Sequence, residues 1–316
     1  MTTPYPTAHL IKEIGRGAKG ARSLSQGDAQ ALYAAMLEGR VSDLELGAIM
    51  LALRIKGEST AEIAGFLEAA EASFPLLPAP PGPLAPVVIP TYNGARKMPN
   101  LTPLLACLLA REGVPTLVHG VLRDKGRVAT AEIFEAMGLP VAGAPGEAAA
   151  AFARQLPCLM PIEALAPRLA YLLSLRRILG VRNSTHTLVK MMQPFACAAL
   201  RLTSYTHPEY LTMLRDYFGN CAPAGRGDIF LMRGTEGETV ANVRRAQQIE
   251  WFHAGVGTVL ADKEEPTDAL PDLPDDSGAA ATAAWITEVL RGRQAVPNAI
   301  AAQVAHCVDV ARALRA

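Results

Sequence analysis

Thr91-Tyr-Asn-Gly-Ala-Arg-Lys97 stands between a short apolar run, Val87-Val88-Ile89, and a helical stretch from about Asn100 to Arg111. A strand that turns through Gly94 into a helix leaves backbone N–H groups and a positive dipole end facing one point, which is how proteins hold a phosphate. Arg96 and Lys97 add two full positive charges at the same place. The loop reads as a phosphate site, or else as an ordinary βα turn with surface cations, since turns of this length are usual in α/β proteins. A glycine-rich loop for a small nucleotide keeps side chains away from the ligand. This one carries Tyr92, Arg96 and Lys97.

Outward from the loop, short apolar runs at 87–89, 116–119, 158–160, 199–203 and 229–232 alternate with helical stretches at 100–111, 127–138, 207–218 and 279–292. That alternation predicts an α/β domain with a mostly parallel central sheet. Upstream, Leu77-Pro-Ala-Pro-Pro-Gly-Pro-Leu-Ala-Pro86 suits neither a helix nor a sheet interior and reads as a linker. Residues 1 to about 73 read as four helices. Ser25-x-x-Asp28, Ser42-x-x-Glu45 and Ser59-x-x-Glu62 open three of them, and Gly39 and Gly57 mark ends. Residues 161–193 hold two or three helices without a strand between. The expected organisation is a discontinuous helical domain, 1–76 joined by about 161–193, beside a larger α/β domain, 77–160 and 194–316. The Ala/Gly-rich stretch near 141–153 is the low-complexity piece.

At 316 residues the chain is long enough for two domains with a large core, and half its residues are hydrophobic. No apolar run is long enough to cross a bilayer, and Met1-Thr-Thr-Pro-Tyr-Pro6 lacks the order of a signal peptide. Cys107, Cys158, Cys197, Cys221 and Cys307 show no metal-ligand spacing, which suggests reduced, buried thiols in a cytoplasmic protein. Lysines and arginines equal aspartates and glutamates in number, so the formal net charge is zero. The charges are nonetheless segregated. Between Ala72 and Glu112 there is no acid, against Arg96, Lys97 and Arg111. Between Ala164 and Pro208 there is again none, against Arg168, Arg176, Arg177, Arg182, Lys190 and Arg201. The balancing acids gather in 262–276. A neutral protein with this pattern can carry a strongly positive face.

Other chemistry is weaker. His119, His186 and His207 have no carboxylate partner in their local sequence, so each suits a structural or phosphate-facing role better than a base. Lys12-Glu-Ile-Gly-Arg-Gly-Ala-Lys-Gly-Ala-Arg22 is either a flexible connection or a phosphate-contacting loop, and lacks the Gly-Lys-Ser/Thr ending of a Walker motif. Arg176 and Arg177 fit a solvated helix face or a basic groove, and Tyr92 offers a ring for base stacking.

The chain also carries a family resemblance. Leu44-Glu-Leu-Gly-Ala-Ile-Met-Leu-Ala-Leu-Arg-Ile-Lys-Gly-Glu-Ser-Thr-Ala-Glu-Ile63, the proline linker, Val118-His-Gly120 and Leu179-Gly-Val-Arg182 together resemble anthranilate phosphoribosyltransferase. More closely, Lys12-Glu-Ile-Gly-Arg-Gly17, the 91–97 loop, Gly180-Val-Arg-Asn-Ser-Thr-His186, Ser204-Tyr-Thr-His-Pro-Glu-Tyr210 and Gly234-Thr-Glu-Gly-Glu238 resemble the YbiB-type, nucleic-acid-binding branch of that fold. The resemblance covers nearly the whole chain. It implies a helical domain beside an α/β domain, in a homodimer formed through the helical domains.

Departures from the enzyme pattern set the functional expectation. Where the enzymes have Gly-Thr-Gly-Gly-Asp, this chain has bulky side chains at 91–97; where they have Lys-His-Gly-Asn, it has Val118-His119-Gly120-Val121. The enzymes' adjacent Asp-Glu pair for magnesium is replaced by Glu236 and Glu238, separated by Gly237 and weak as metal ligands. Arg182 remains, matching the arginine that contacts anthranilate's carboxylate, as do Asn100 and Thr102 at the helix start. The resulting expectation is sequence-independent binding of DNA or RNA through a basic groove, with no catalytic residue, no cofactor and no membrane partner. Its contacts would come from Tyr92, Asn93, Gly94, Arg96, Lys97, Asn100, Thr102, His119, Arg123, Lys125, Arg127, Arg176, Arg177, Arg182, His186, Lys190 and Arg201. The alternative is a phosphoribosyltransferase with an altered acceptor, which would need Mg2+. A third possibility is a protein–protein module working through its helical face.

Overall fold

The computed structural model describes residues 3–17, 19–265 and 272–315. Ala18 of the basic 12–22 loop and residues 266–271 of the acidic run lie outside them. The chain divides into two compact units.

The helical unit comprises Met1–Pro75, Ala166–Met192 and Thr212–Ala222. Its first part holds α1 (Ala8–Ile14), α2 (Gln26–Leu37), α3 (Asp43–Lys56) and α4 (Thr60–Ala72). The starts follow from local chemistry. Ser25 accepts the Asp28 N–H, and Ser42/Glu45 and Ser59/Glu62 form reciprocal capping boxes. Gly65 lets α4 lie directly on α2, because a Cβ there would stand 2.2 Å from the Gln26 carbonyl oxygen. Around that contact Leu32, Tyr33, Ile63 and Phe66 are fully buried. Glu62 does more than cap: it is buried, accepts the Leu24 and Ser59 N–H groups and pairs with Lys56 at 2.7 Å. The later segment brings short helices Pro167–Ser174, Arg176–Leu179 and Thr185–Leu188. Tyr33 Oη meets Thr185 Oγ1 at 2.7 Å and ties this segment to α2.

The α/β unit comprises Leu76–Leu165, Gln193–Leu211 and Pro223–Ala316. Its strands are β1 (Val87–Thr91), β2 (Thr116–Gly120), β3 (Cys158–Pro161), β4 (Leu200–Tyr205), β5 (Ile229–Arg233), β6 (Ile249–His253) and β7 (Val256–Ala261). They form one sheet in the order β3-β2-β1-β4-β5-β6-β7. The first five are parallel, and β6 and β7 run antiparallel as a closing hairpin. The parallel strands are buried on both faces, which is why they read as plain apolar runs. One core joins Val87, Ile89, Val118, Leu202 and Phe230 of the sheet to Leu104, Leu105, Phe134, Ile286 and Ile300 of the covering helices.

The architecture is the expected one, a helical part and an α/β part with a mostly parallel sheet. Several elements differ from expectation. The β6–β7 hairpin was not anticipated, nor was the 16-residue helix Asn298–Ala313. The Ala-rich low-complexity stretch contains an ordered helix, Pro145–Ala153. The proline-rich 77–86 segment is no free linker: Leu77 donates to the Pro194 carbonyl, Ala85 donates to the Ala311 carbonyl, and Leu77 and Leu84 are buried. All five cysteines are free, but Cys221 is exposed and Cys197 only half-buried. Burial pushes the Cys107 and Cys158 thiols up to about 12. Among the described residues no helix is long and apolar enough to cross a membrane.

Candidate functional site

Strand order reverses between β1 and β4, since β1, β2 and β3 step one way and β4 and β5 the other. In parallel sheets that reversal opens a crevice at the carboxyl ends of the strands. Here β1 and β4 pair only at Val87↔Leu200 and Val88↔Arg201, so their carboxyl ends are released from each other. The 91–97 loop leaves β1 at this crevice, and residues 234–238 follow β5 into it.

What meets the loop amides is protein. Thr235 and Glu238 exchange backbone hydrogen bonds across a two-residue turn, whose central residues Glu236 and Gly237 have φ of +53° and +96°. Two positive φ values are the mark of a type I′ hairpin turn. The turn presents both carboxylates to the loop. Glu238 Oε1 accepts the N–H of Asn93 at 2.9 Å and of Gly94 at 2.6 Å. Glu236 Oε2 and Oε1 accept those of Arg96 and Lys97 at 2.6 and 2.7 Å. Asn93 Nδ2 and Ser204 Oγ both donate to the Gly237 carbonyl, at 2.8 and 3.0 Å. Gly237 is required, because a Cβ there would lie 2.4 Å from Asn93 Nδ2. The expected set of open amides is therefore already engaged. The two glutamates, weak magnesium candidates in the sequence, spend their carboxylates on backbone N–H groups and do not fit a metal cradle. Among the described residues no group of three or more His, Cys, Asp or Glu is placed to hold a metal ion.

The interior behind the loop is also filled. Tyr92 is buried, and its hydroxyl meets His119 Nδ1 at 2.8 Å with the rings edge to face. Burial holds the Tyr92 hydroxyl well above its usual range, with Glu163 and Glu238 adding to the effect. Burial pushes His119 down to about 3, so it is neutral at ordinary pH. Asn100 Nδ2 reaches Thr130 Oγ1 at 3.0 Å, which in turn meets Thr91 Oγ1 at 2.6 Å, and Asn100 Oδ1 accepts the Thr102 N–H to start the helix Thr102–Arg111. Asn93, Gly94, Asn100, Thr102, His119 and Arg201 are all buried. These seven residues, Tyr92 included, are closed to a polyanion. Tyr92, Asn93, Gly94, Asn100, Thr102 and His119 hold the loop and the helix start in place, and the Tyr92 ring is enclosed.

The cations sort differently. Arg96, Lys97 and Lys125 are exposed. Lys97 and Arg244 line a cleft of about 530 Å³ together with Met98, Pro99, Asp272 and Asp275. Arg123 is paired with Glu132 and Glu135 at 3.4 and 2.6 Å, and Arg127 Nη1 donates to the Gly94 carbonyl at 3.2 Å. Sequence reasoning missed Arg244, Ser204 and Thr130; the Glu-Gly pair at 236–237 was the one local signal of the turn. His207 is exposed. His253 meets Asp228 at 3.0 Å, and Asp228 precedes β5 at the end away from residues 234–238.

In the helical unit, Arg176 and Arg177 are exposed on the short helix Arg176–Leu179, which Gly180 ends in a left-handed conformation. Arg182, His186 and Lys190 are half-buried beyond it. Burial pushes His186 down to about 4, and the positive charges of Arg182, Arg176 and Lys190 act in the same direction. Elsewhere in the unit, Leu44, Leu51 and Ile55 form an exposed apolar stripe along α3, with Leu44 at 86% and Ile55 at 68% exposure.

Residues 8–73 match the helical bundle domain of the glycosyl transferase family. The chain is 45% identical over 302 residues to the uncharacterized protein YbiB of Escherichia coli (strain K12), covering 95% of this chain and 92% of that one. It is 32% identical over 122 residues to anthranilate phosphoribosyltransferase of Deinococcus radiodurans, 39% of this chain and 36% of the relative. Among solved structures, anthranilate phosphoribosyltransferase (TrpD) from Thermus thermophilus superimposes with a TM-score of 0.71 at 22% identity, over 96% of this chain and 88% of that chain. The Saccharomyces cerevisiae enzyme in complex with PRPP and Mg gives a TM-score of 0.63 at 12% identity, over 96% and 97%.

Proposed function

The chain belongs to the YbiB family, on the anthranilate phosphoribosyltransferase fold, and from that premise we propose that it binds nucleic acid without sequence preference. The reading rests on one contrast at the 91–97 loop. The amides that would grip a small phosphate are taken by Glu236 and Glu238, while the side chains of Arg96 and Lys97 stay exposed. Exposed cations without an open nest suit a chain of phosphates, which is held by charge, better than one phosphate held by backbone. Exposed Arg176 and Arg177, with half-buried Arg182 and Lys190, supply a second basic patch. Affinity arises mainly from counterion release, so it falls steeply with salt and little with sequence.

The test is a salt series of binding to single-stranded DNA, duplex DNA and RNA of equal length. Binding that is weak at low salt, or insensitive to salt, refutes the reading. The second reading, phosphoribosyl transfer to an anthranilate-like acceptor, is favoured by the fold and opposed by the filled nest. Magnesium-dependent pyrophosphate release from phosphoribosyl pyrophosphate and anthranilate would establish it.

The exposed stripe on α3 supports a homodimer as the working form, because Leu44, Leu51 and Ile55 together leave a large apolar surface for a small domain to hold in water. Light scattering of wild type should give twice the chain mass, and Leu44→Asp with Ile55→Asp should return it to the monomer.

A further inference from the structure

The turn at 235–238 has a consequence apart from nucleic acid. We infer that Glu236 and Glu238 act as a built-in competitor for the anion nest of the 91–97 loop, and that this carboxylate pair excludes small phosphates from it. Four consecutive-pair amides, Asn93 with Gly94 and Arg96 with Lys97, are each arranged in twos around one carboxylate. Amide pairs converging on an anionic oxygen group are the backbone part of a phosphate site. The nest is thus formed, and it is filled from within the chain. Two carboxylates carried two residues apart on a single turn stand in for an anion with two linked acidic groups. A diphosphate is the ligand class that matches that pairing.

The arrangement is imposed. Glu236 sits at φ +53°, where Asn, Asp and Gly are the residues that turn chemistry favours. A glutamate held there reaches both the Arg96 and the Lys97 amides. Gly94, at φ +62°, brings the loop against residues 128–129, since a Cβ would stand 2.7 Å from the Val128 carbonyl oxygen. The loop is therefore fixed on its far side, and the amides keep their direction when the carboxylates leave.

This predicts a gain of function from one substitution. Glu236→Asn keeps a residue suited to positive φ, creates a favoured turn sequence with Gly237, and withdraws the carboxylate from Arg96 and Lys97. Titration calorimetry with inorganic pyrophosphate, in chelator and without divalent metal, should show no saturation for wild type. Glu236→Asn should bind at least about tenfold more tightly, as expected for anionic oxygens taking two charge-assisted backbone hydrogen bonds. Glu236→Asn with Glu238→Gln should bind more tightly again, and Glu209→Gln controls for the lost charge. A folded Glu236→Asn protein, with wild-type melting temperature, that binds pyrophosphate no better than wild type overturns the inference. So does tight binding by wild type itself. Tight binding by wild type would also remove the filled nest on which the nucleic-acid reading draws, whereas a Glu236→Asn protein that binds no better leaves that reading to the salt series.

Discussion

The two basic regions use positive charge in opposite ways. At the 91–97 loop, backbone amides and carboxylates satisfy one another, and the cationic side chains are left at the surface. At 176–190, burial holds His186 down to about 4, and the positive charges of Arg182, Arg176 and Lys190 add to the effect. The first region is settled at its backbone, whereas the second gathers cationic side chains around a half-buried imidazole. The four cations Arg176, Arg177, Arg182 and Lys190 offer an incoming polyanion twice the positive charge of Arg96 and Lys97. The 176–190 cluster should therefore contribute more to affinity than the loop, although both were legible as basic from sequence.

Removing the cluster is the largest expected effect. Arg176→Ala with Arg182→Ala and Lys190→Ala should weaken duplex binding about 100-fold at moderate salt and lower the salt slope by roughly three units. Arg96→Ala with Lys97→Ala should cost about tenfold and lower the slope by roughly two units. Lys263→Ala, set among acids, should change nothing. If the loop pair costs more than the cluster, the contrast is reversed. If slopes are unchanged in both while melting temperatures fall, the cations serve the fold and the nucleic-acid reading loses its physical basis.

A smaller effect is carried by pH. His186 has a depressed folded pKa, so the unfolded chain takes up its proton first as pH falls. The stability contributed by the neutral imidazole is fully present above the unfolded value near 6.5 and is lost as pH falls through about 4. A polyanion seated among Arg176, Arg182 and Lys190 should raise that pKa. Binding should then take up a proton and tighten roughly two- to fivefold between pH 7.5 and pH 5.5. In His186→Ala that pH dependence should vanish while the salt slope persists. A pH profile identical to wild type would place the polyanion away from the cluster.

How much of this was readable depended on chain separation. Ser42/Glu45 and Ser59/Glu62 announce their helices because cap and partner sit three residues apart. The interior strands announce themselves because burial on both faces demands unbroken apolar runs. The β6–β7 hairpin was hidden because it lacks an unbroken buried apolar run, with Glu250 and His253 on β6 and exposed 256–259 on β7. The loop's position was legible from Gly94 and its flanks, but the fate of its amides was not. Their acceptors lie 139 to 145 residues further along the chain, and no local pattern reports such a pairing. Glu62 shows the same limit, since its cap role is local while its bond to Leu24 spans 38 residues.

The smallest expected effect tests whether the loop interior is only structural. Tyr92 offers the one aromatic ring of the 91–97 loop, and in sequence it suggested base stacking. In the structure its ring is buried and its hydroxyl is spent on His119, itself neutral and fully enclosed. Tyr92→Phe keeps the ring and its edge-to-face contact and removes only that hydrogen bond. The loss should be about 1 kcal/mol of stability, typical of one buried hydrogen bond with a partner left unsatisfied. Oligonucleotide affinity and salt slope should both stay at wild-type values. Stacking on a base would also survive Tyr92→Phe, so Tyr92→Leu is the decisive companion. That variant loses the ring and should cost more stability, yet still bind with an unchanged salt slope and near-unchanged affinity if the ring never meets a base. A several-fold loss in single-stranded affinity by Tyr92→Leu, at full folding and with the slope intact, would mean that the loop opens on binding and that its interior belongs to the interface.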